Sequence, residues 1–130
     1  MSRITQVHRI LEQKHLDAII ILSDYNRRYL SGFTGTSGAL IISKDKQYLI
    51  TYFRYIDQAT KQAPNYEIIN RKSTIIGEIK ELLHQENFEN VGFEGHHVSY
   101  DTYLELNKSR ISLISISNTV DKIRDVKEAD

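Results

Sequence analysis

The sequence predicts an α/β protein: one mixed sheet of about five or six strands with helices on both faces. Three observations carry this prediction. Short apolar runs rich in β-branched residues alternate along the chain with segments whose apolar residues recur every three to four positions. Two of the runs, residues 39–43 and 47–51, are separated only by the polar turn Lys44-Asp45-Lys46, which makes a hairpin and hence an antiparallel pairing. The first run, Ala18-Ile19-Ile20-Ile21-Leu22, has no polar alternation. Such a strand is buried on both faces, in the middle of a sheet that helices cover.

Taken in order, Ile4, Val7 and Ile10-Leu11 give the first segment a helical apolar stripe between Arg3, Gln6, Arg9 and Glu12. Residues 17–23 are the central strand, with Ile19 and Ile21 expected to be buried one on each face. Residues 24–30 form a short helix or turn. Residues 31–38, Ser-Gly-Phe-Thr-Gly-Thr-Ser-Gly, are a loop because glycine recurs every third position among hydroxyl residues. The hairpin follows. Residues 53–63 are expected to be helical, ending at Pro64, and residues 66–70 to be a strand. Ser73 or Thr74 caps a helix with Ile75-Ile76, Ile79 and Leu82-Leu83 on one face. Residues 90–94 are a short strand, Ser99 caps a helix carrying Tyr100, Tyr103-Leu104 and Leu106, and residues 111–116 are a last strand. Thr119 caps a final amphipathic turn with Val120, Ile123 and Val126.

Composition narrows the function. The 130 residues match one ordinary domain. With no cysteine, disulfides, thiolate metal sites and a cysteine nucleophile are excluded. Seventeen Lys and Arg balance seventeen Asp and Glu, so no basic excess faces a phosphate backbone and a nucleic-acid partner is not expected. The longest apolar run falls far short of the roughly 20 residues that span a bilayer. No membrane association is expected, and the cytoplasm is the expected compartment.

Few motifs carry chemistry. The loop Gly32-x-x-Gly35-x-x-Gly38 invites comparison with a phosphate cradle, but it lacks Gly-Lys-Ser/Thr and leads into a strand rather than a helix. His8, His15, His84, His96 and His97 show no metal-ligand spacing, and neighbouring side chains such as His96 and His97 diverge on most backbones. No Gly-x-Ser-x-Gly is present. Glu78 with Glu81 and Glu86 with Glu89 read as solvated faces. Arg54 stands out, in Thr51-Tyr52-Phe53-Arg54-Tyr55 at a strand's carboxyl end. A guanidinium among three rings can take a carboxylate or a peptide carbonyl, or simply stack on tyrosine as a structural cation–π pair. The residues alone favour stacking.

Several motifs resemble, in order, the N-terminal domain of the creatinase, prolidase and aminopeptidase P family. They are Asn26-x-x-Tyr29-Leu30-Ser31-Gly32-Phe33-Thr34-Gly35-Thr36-Ser37-Gly38, Leu49-x-Thr51-x-Phe53-Arg54-Tyr55-x-x-Gln58-Ala59, Val91-Gly92-Phe93-Glu94 and Val120-x-x-Ile123-Arg124-x-x-Lys127. Bacterial Xaa-Pro aminopeptidases and Xaa-Pro dipeptidases are most similar. The resemblance implies that residues 1–118 form this domain and that residues 119–130 begin a linker helix to a C-terminal "pita-bread" metallopeptidase domain. That catalytic domain would hold two divalent ions, commonly manganese, through ligands beyond these 130 residues. It further implies a homodimer in which this domain meets the catalytic domain of its own and of the neighbouring subunit. Arg54, with Phe53, would contact proline-containing peptides, and the chain alone would have no catalytic residue and no activity. Many relatives carry Asp after the threonine, where this chain has Tyr52, so a carboxylate that could orient Arg54 is missing. A stand-alone α/β binding or interaction module with the same fold is the alternative.

Overall fold

The computed structural model describes residues 3–107 and 111–116. In chain order these form α1 (Arg3–Gln13), β1 (Ala18–Ile21), α2 (Asp24–Ser31), β2 (Ala39–Ser43), β3 (Gln47–Thr51), a 3₁₀ turn (Phe53–Tyr55), α3 (Ile56–Gln62), β4 (Glu67–Asn70), α4 (Ile75–Gln85), β5 (Asn90–Phe93), α5 (Tyr100–Leu106) and β6 (Ser112–Ser115). The six strands make one sheet in the order β4-β3-β2-β1-β5-β6. β1 and β3 pair antiparallel with β2, whereas β3–β4, β1–β5 and β5–β6 are parallel. Of these strands, β2 alone runs against the rest. One sheet edge therefore gathers the carboxyl ends of five strands and the amino end of β2.

Helices cover both faces, as the apolar run of β1 requires. On one face Ile19 and Ile21 pack with Val7 and Leu11 of α1, Leu30 of α2, Ala59 of α3 and the strand residues Leu40, Ile42 and Leu49. On the other, Ala18 and Ile20 pack with Ile79 and Leu83 of α4, Leu106 of α5 and Ile41, Tyr48 and Ile50. Ile19 and Ile21 are both buried, but they share a face, contrary to the expectation of one on each. Side chains alternate along a strand, so position i+2 returns to the face of position i, and Ile20 is the residue that crosses.

The expected capping residues resolve to Thr74, whose side chain accepts from Gly77 N–H, and Ser99, which accepts from Thr102 N–H. Residues 24–31 are a full helix, closed by Gly32 at φ 82°, the left-handed conformation that glycine adopts without steric cost. The single helix expected over residues 53–63 is broken. Tyr55, at φ −106° and ψ 0°, leaves α geometry where its ring meets Phe33 and Tyr52 edge-on, and the regular helix starts only at Ile56. The predicted capped turn after Thr119 and the linker over residues 119–130 lie outside the described residues. Among those described, no helix is long and apolar enough to cross a membrane.

Candidate functional site

The loop over residues 31–38 joins α2 to β2 at the sheet edge where the five carboxyl ends gather. It is tied down from within. Arg27, only 2% exposed, donates from Nη2 to Gly35 O at 2.7 Å and from Nη1 to Gly38 O at 3.1 Å, and pairs with Asp24 at 2.9 Å. Its Nε has no hydrogen-bond partner. Beneath the loop lies the fully buried ring of Phe33. A Cβ on Gly35 would come within 2.2 Å of that ring, so the chain can cross it only as glycine. With Gly35 and Gly38 carbonyls turned to a guanidinium, the loop presents no phosphate cradle.

The other flank is bound to the hairpin and α3. Thr51 Oγ1 donates to Ser37 O at 2.7 Å, Thr34 N–H donates to Gln62 Oε1 at 2.9 Å, and the hydroxyls of Thr36 and Tyr55 lie 2.6 Å apart. Tyr55 thereby joins the loop to the 3₁₀ turn that carries Phe53 and Arg54. The Thr36 hydrogen bond is the foremost cause holding the Tyr55 phenol below its ordinary pKa. A hydrogen bond from Tyr52 and the charge of Arg54 act in the same direction.

Arg54 is exposed and Phe53 is 77% exposed, both on this turn. The rings that hold Arg54 are those of Tyr55 and Tyr52, whose centres lie 5.2 and 5.9 Å from its Cζ. Those rings meet edge-on at 5.1 Å. Tyr52 stands where many relatives carry a carboxylate, and the groups beside Arg54 here are ring faces. Arg71, just past β4, lies over the same Tyr52 ring at 4.9 Å.

Two further groups at this edge had no assigned role in the sequence. Glu94, 2% exposed at the end of β5, accepts from Leu22 N–H at 2.6 Å, Ser23 N–H at 2.8 Å, Ser23 Oγ at 2.5 Å and Asn26 Nδ2 at 2.8 Å. This carboxylate supplies the anchoring at the amino end of α2 that the Ser23 side chain, turned to Glu94, does not. Asn26 and Glu94 both stand in the recognised motifs, but nothing local marks a contact spanning 68 residues. Nearby, Tyr25 OH meets His96 Nε2 at 3.1 Å and the Tyr25 ring meets His97 edge-on. Among the described residues there is no group of three or more His, Asp or Glu that could hold a metal ion.

Comparison with known proteins gives this arrangement its context. The Creatinase/Prolidase N-terminal domain family matches residues 3–126. The uncharacterized peptidase YqhT of Bacillus subtilis is 31% identical over 130 residues, covering 98% of this chain and 37% of the relative. The chain thus spans little more than a third of that relative's length. A solved Xaa-Pro dipeptidase from Bacillus anthracis superposes with a TM-score of 0.91 at 32% identity, over 98% of this chain and 36% of that one. The N-terminal domain of the cytoplasmic peptidase PepQ from Mycobacterium tuberculosis, solved by itself, superposes at 0.86 with 30% identity, covering 94% of this chain and 98% of its own. The match over residues 3–126 and the shared mixed six-stranded sheet place this chain in the creatinase/prolidase N-terminal domain family, to which it belongs.

Proposed function

We propose that this chain is the non-catalytic N-terminal domain of a proline-specific metallopeptidase, an Xaa-Pro aminopeptidase or dipeptidase of the cytoplasm. In this reading the intact enzyme is a homodimer, and its catalytic domain holds two divalent ions, manganese in the first instance, that support hydrolysis of the Xaa-Pro bond. Arg54, flanked by Phe53, closes the substrate cleft of the neighbouring subunit's catalytic domain. The observation that carries the reading is the state of Arg54. It is exposed, ring-stacked and, among the described residues, without a carboxylate partner. Its rigid fork of five donors is suited to a peptide carbonyl or carboxylate. The base beneath it is fixed through Tyr55, Thr36 and the Arg27-bound loop, so little ordering is left to do on contact. Phe53, exposed beside it, offers the kind of apolar anchor that favours association.

The test uses the intact protein. Arg54→Ala should lower kcat/KM for an Xaa-Pro peptide by roughly 10- to 100-fold, the loss of one charge-assisted contact, with metal content unchanged. Mixing Arg54→Ala subunits with subunits lacking a metal ligand should restore activity, because some sites then pair an intact metal centre with a neighbour's Arg54. Verified mixed dimers without activity would rule out the contact between subunits. Unchanged efficiency in the Arg54→Ala homodimer would reduce Arg54 to a stacking residue.

A further inference from the structure

We propose that Arg71 joins Arg54 in a carboxylate-binding pair built on the ring of Tyr52, and that the pair recognises the free terminal carboxylate of a short peptide. This rests on the peptide-contacting reading of Arg54 and adds to it a second cation and a ligand group.

Arg71 arrives there through the sheet. The parallel pairing of β3 with β4 sets Thr51 beside Asn70, and Arg71 N–H continues the pairing with a 2.8 Å bond to Thr51 O. The next residue on each strand is then Tyr52 and Arg71, side by side. The Arg71 Cζ lies 4.9 Å from the Tyr52 ring centre, and the Arg54 Cζ lies 5.9 Å from the same centre. Two guanidiniums therefore gather at one ring in a chain whose formal net charge is zero. Among the described residues neither is ion-paired with a carboxylate. One Arg71 donor, Nη1, is used by Ser73 O, which fixes the side chain without neutralising it.

The π system of the ring attracts each cation but supplies no countercharge. Stacking occupies the face of a guanidinium and leaves its in-plane N–H groups available. A carboxylate is the group that answers both conditions, because it is planar, accepts several N–H bonds and carries the missing charge. Tyr55, edge-on to Tyr52 and bonded to Thr36, keeps the platform in register with the glycine loop.

The experiment follows the arginine Nε–Hε signals of the ¹⁵N-labelled 130-residue chain during titration with Gly-Pro and, separately, with Gly-Pro amide. Such a domain can be studied alone, as the PepQ domain was crystallised by itself. Both Arg54 and Arg71 should shift saturably with Gly-Pro, and affinity for the amide should be about tenfold weaker, because the amide removes the charge. Arg71→Ala should weaken Gly-Pro binding about fivefold, and Arg71→Lys should recover part of it. Backbone amide signals distant from Tyr52 verify that each variant is folded. If Arg54 responds while Arg71 does not, the pair is overturned and the peptide-contacting reading of Arg54 survives. Equal affinity for acid and amide overturns the carboxylate. So does the absence of any response up to about 50 mM Gly-Pro, a concentration at which even a weak contact registers. In that last case the activity test of Arg54 in the intact protein still decides the broader reading by itself.

Discussion

Glu94 and Arg54 stand at the same sheet edge, one past β5 and the other past β3, and their surroundings are opposite. Glu94 is buried and accepts four hydrogen bonds, all from the turn between β1 and α2 and the first helical turn. Arg54 is exposed, and its neighbours are ring faces rather than acceptors. A buried carboxylate cannot be left short of partners, so its hydrogen-bonding capacity is committed inside the fold. An exposed guanidinium meets no such demand, and its capacity is directed outward. Arg27 belongs with Glu94 in this contrast, since it is buried and spends its donors on the loop carbonyls. The edge thus consists of a polar frame that holds α2 and the loop, and of a cationic surface presented by the frame.

The largest effect that can break this division is at Glu94. Glu94→Ala would leave the N–H groups of Leu22 and Ser23, the Ser23 hydroxyl and the Asn26 amide without their acceptor. A loss of about 3–5 kcal/mol is expected in chemical denaturation, the range for removing one member of a buried charged network. Glu94→Gln should lose less, because one carbonyl oxygen still accepts while the amide N–H₂ faces donors. A loss below about 1 kcal/mol for the alanine variant would mean that the carboxylate does not anchor the helix. Next in size is Arg27→Met, which keeps much of the buried volume but leaves Gly35 O and Gly38 O unpaired. About 2–3 kcal/mol should be lost, with faster amide exchange confined at first to residues 31–38.

A smaller effect separates the tyrosines by pH. Burial pushes the Tyr66 phenol well above its ordinary pKa. Burial and the hydrogen bond to Glu86 do the same to Tyr48, whereas Tyr55 is held down by Thr36. A phenol whose pKa is raised by folding contributes stability that is complete below the unfolded value of about 10 and is lost as pH climbs above it. Tyr55 has the opposite sign, since folding favours its ionised form. Stability should therefore decline above about pH 10, and Tyr48→Phe and Tyr66→Phe should each flatten the decline. Tyr55→Phe should instead remove a gain in stability that accrues below about pH 10, between the lowered folded pKa and the unfolded value. In a spectrophotometric titration the Tyr55 signal should ionise before those of Tyr48 and Tyr66, and the reverse order would refute the assignment.

How far this edge could be read from sequence depends on the range of each contact. The hairpin 39–43 and 47–51 emerges at the predicted bounds because alternation between strand and turn chemistry is local. Thr74 and Ser99 were legible as caps for the same reason, since each bonds a residue three positions on. The break at Tyr55 was not, because it depends on Phe33 and Tyr52 rings brought together by the sheet. Nor was the burial of Arg27, which stands beside exposed Arg28 and looks no different from it in sequence. The faces of Ile19 and Ile21 were misread although a period of two determines them. The composition of the Arg54 site was legible in Thr51-Tyr52-Phe53-Arg54-Tyr55, but Arg71 enters only through the β3–β4 register.

The smallest stability effect is expected at the residue with the largest functional one, which makes Arg54 the sharpest test of the division. Arg54→Ala removes two ring contacts at an exposed position and leaves no buried acceptor unpaired. The change in unfolding free energy should stay within about 0.5 kcal/mol, the range of surface substitutions away from special features. A group kept for the fold and a group kept for a ligand differ in this respect: removing the first costs stability and removing the second does not. Arg54→Ala should therefore unfold at the same denaturant midpoint as the parent chain while the carboxylate response and the activity of the intact protein fall. A drop of 2 kcal/mol or more, about what a buried polar contact is worth, would place Arg54 in the frame with Glu94 and Arg27. The open donors at Tyr52 would then be a by-product of packing, and the search for the ligand-facing group would move along the same edge to Phe53.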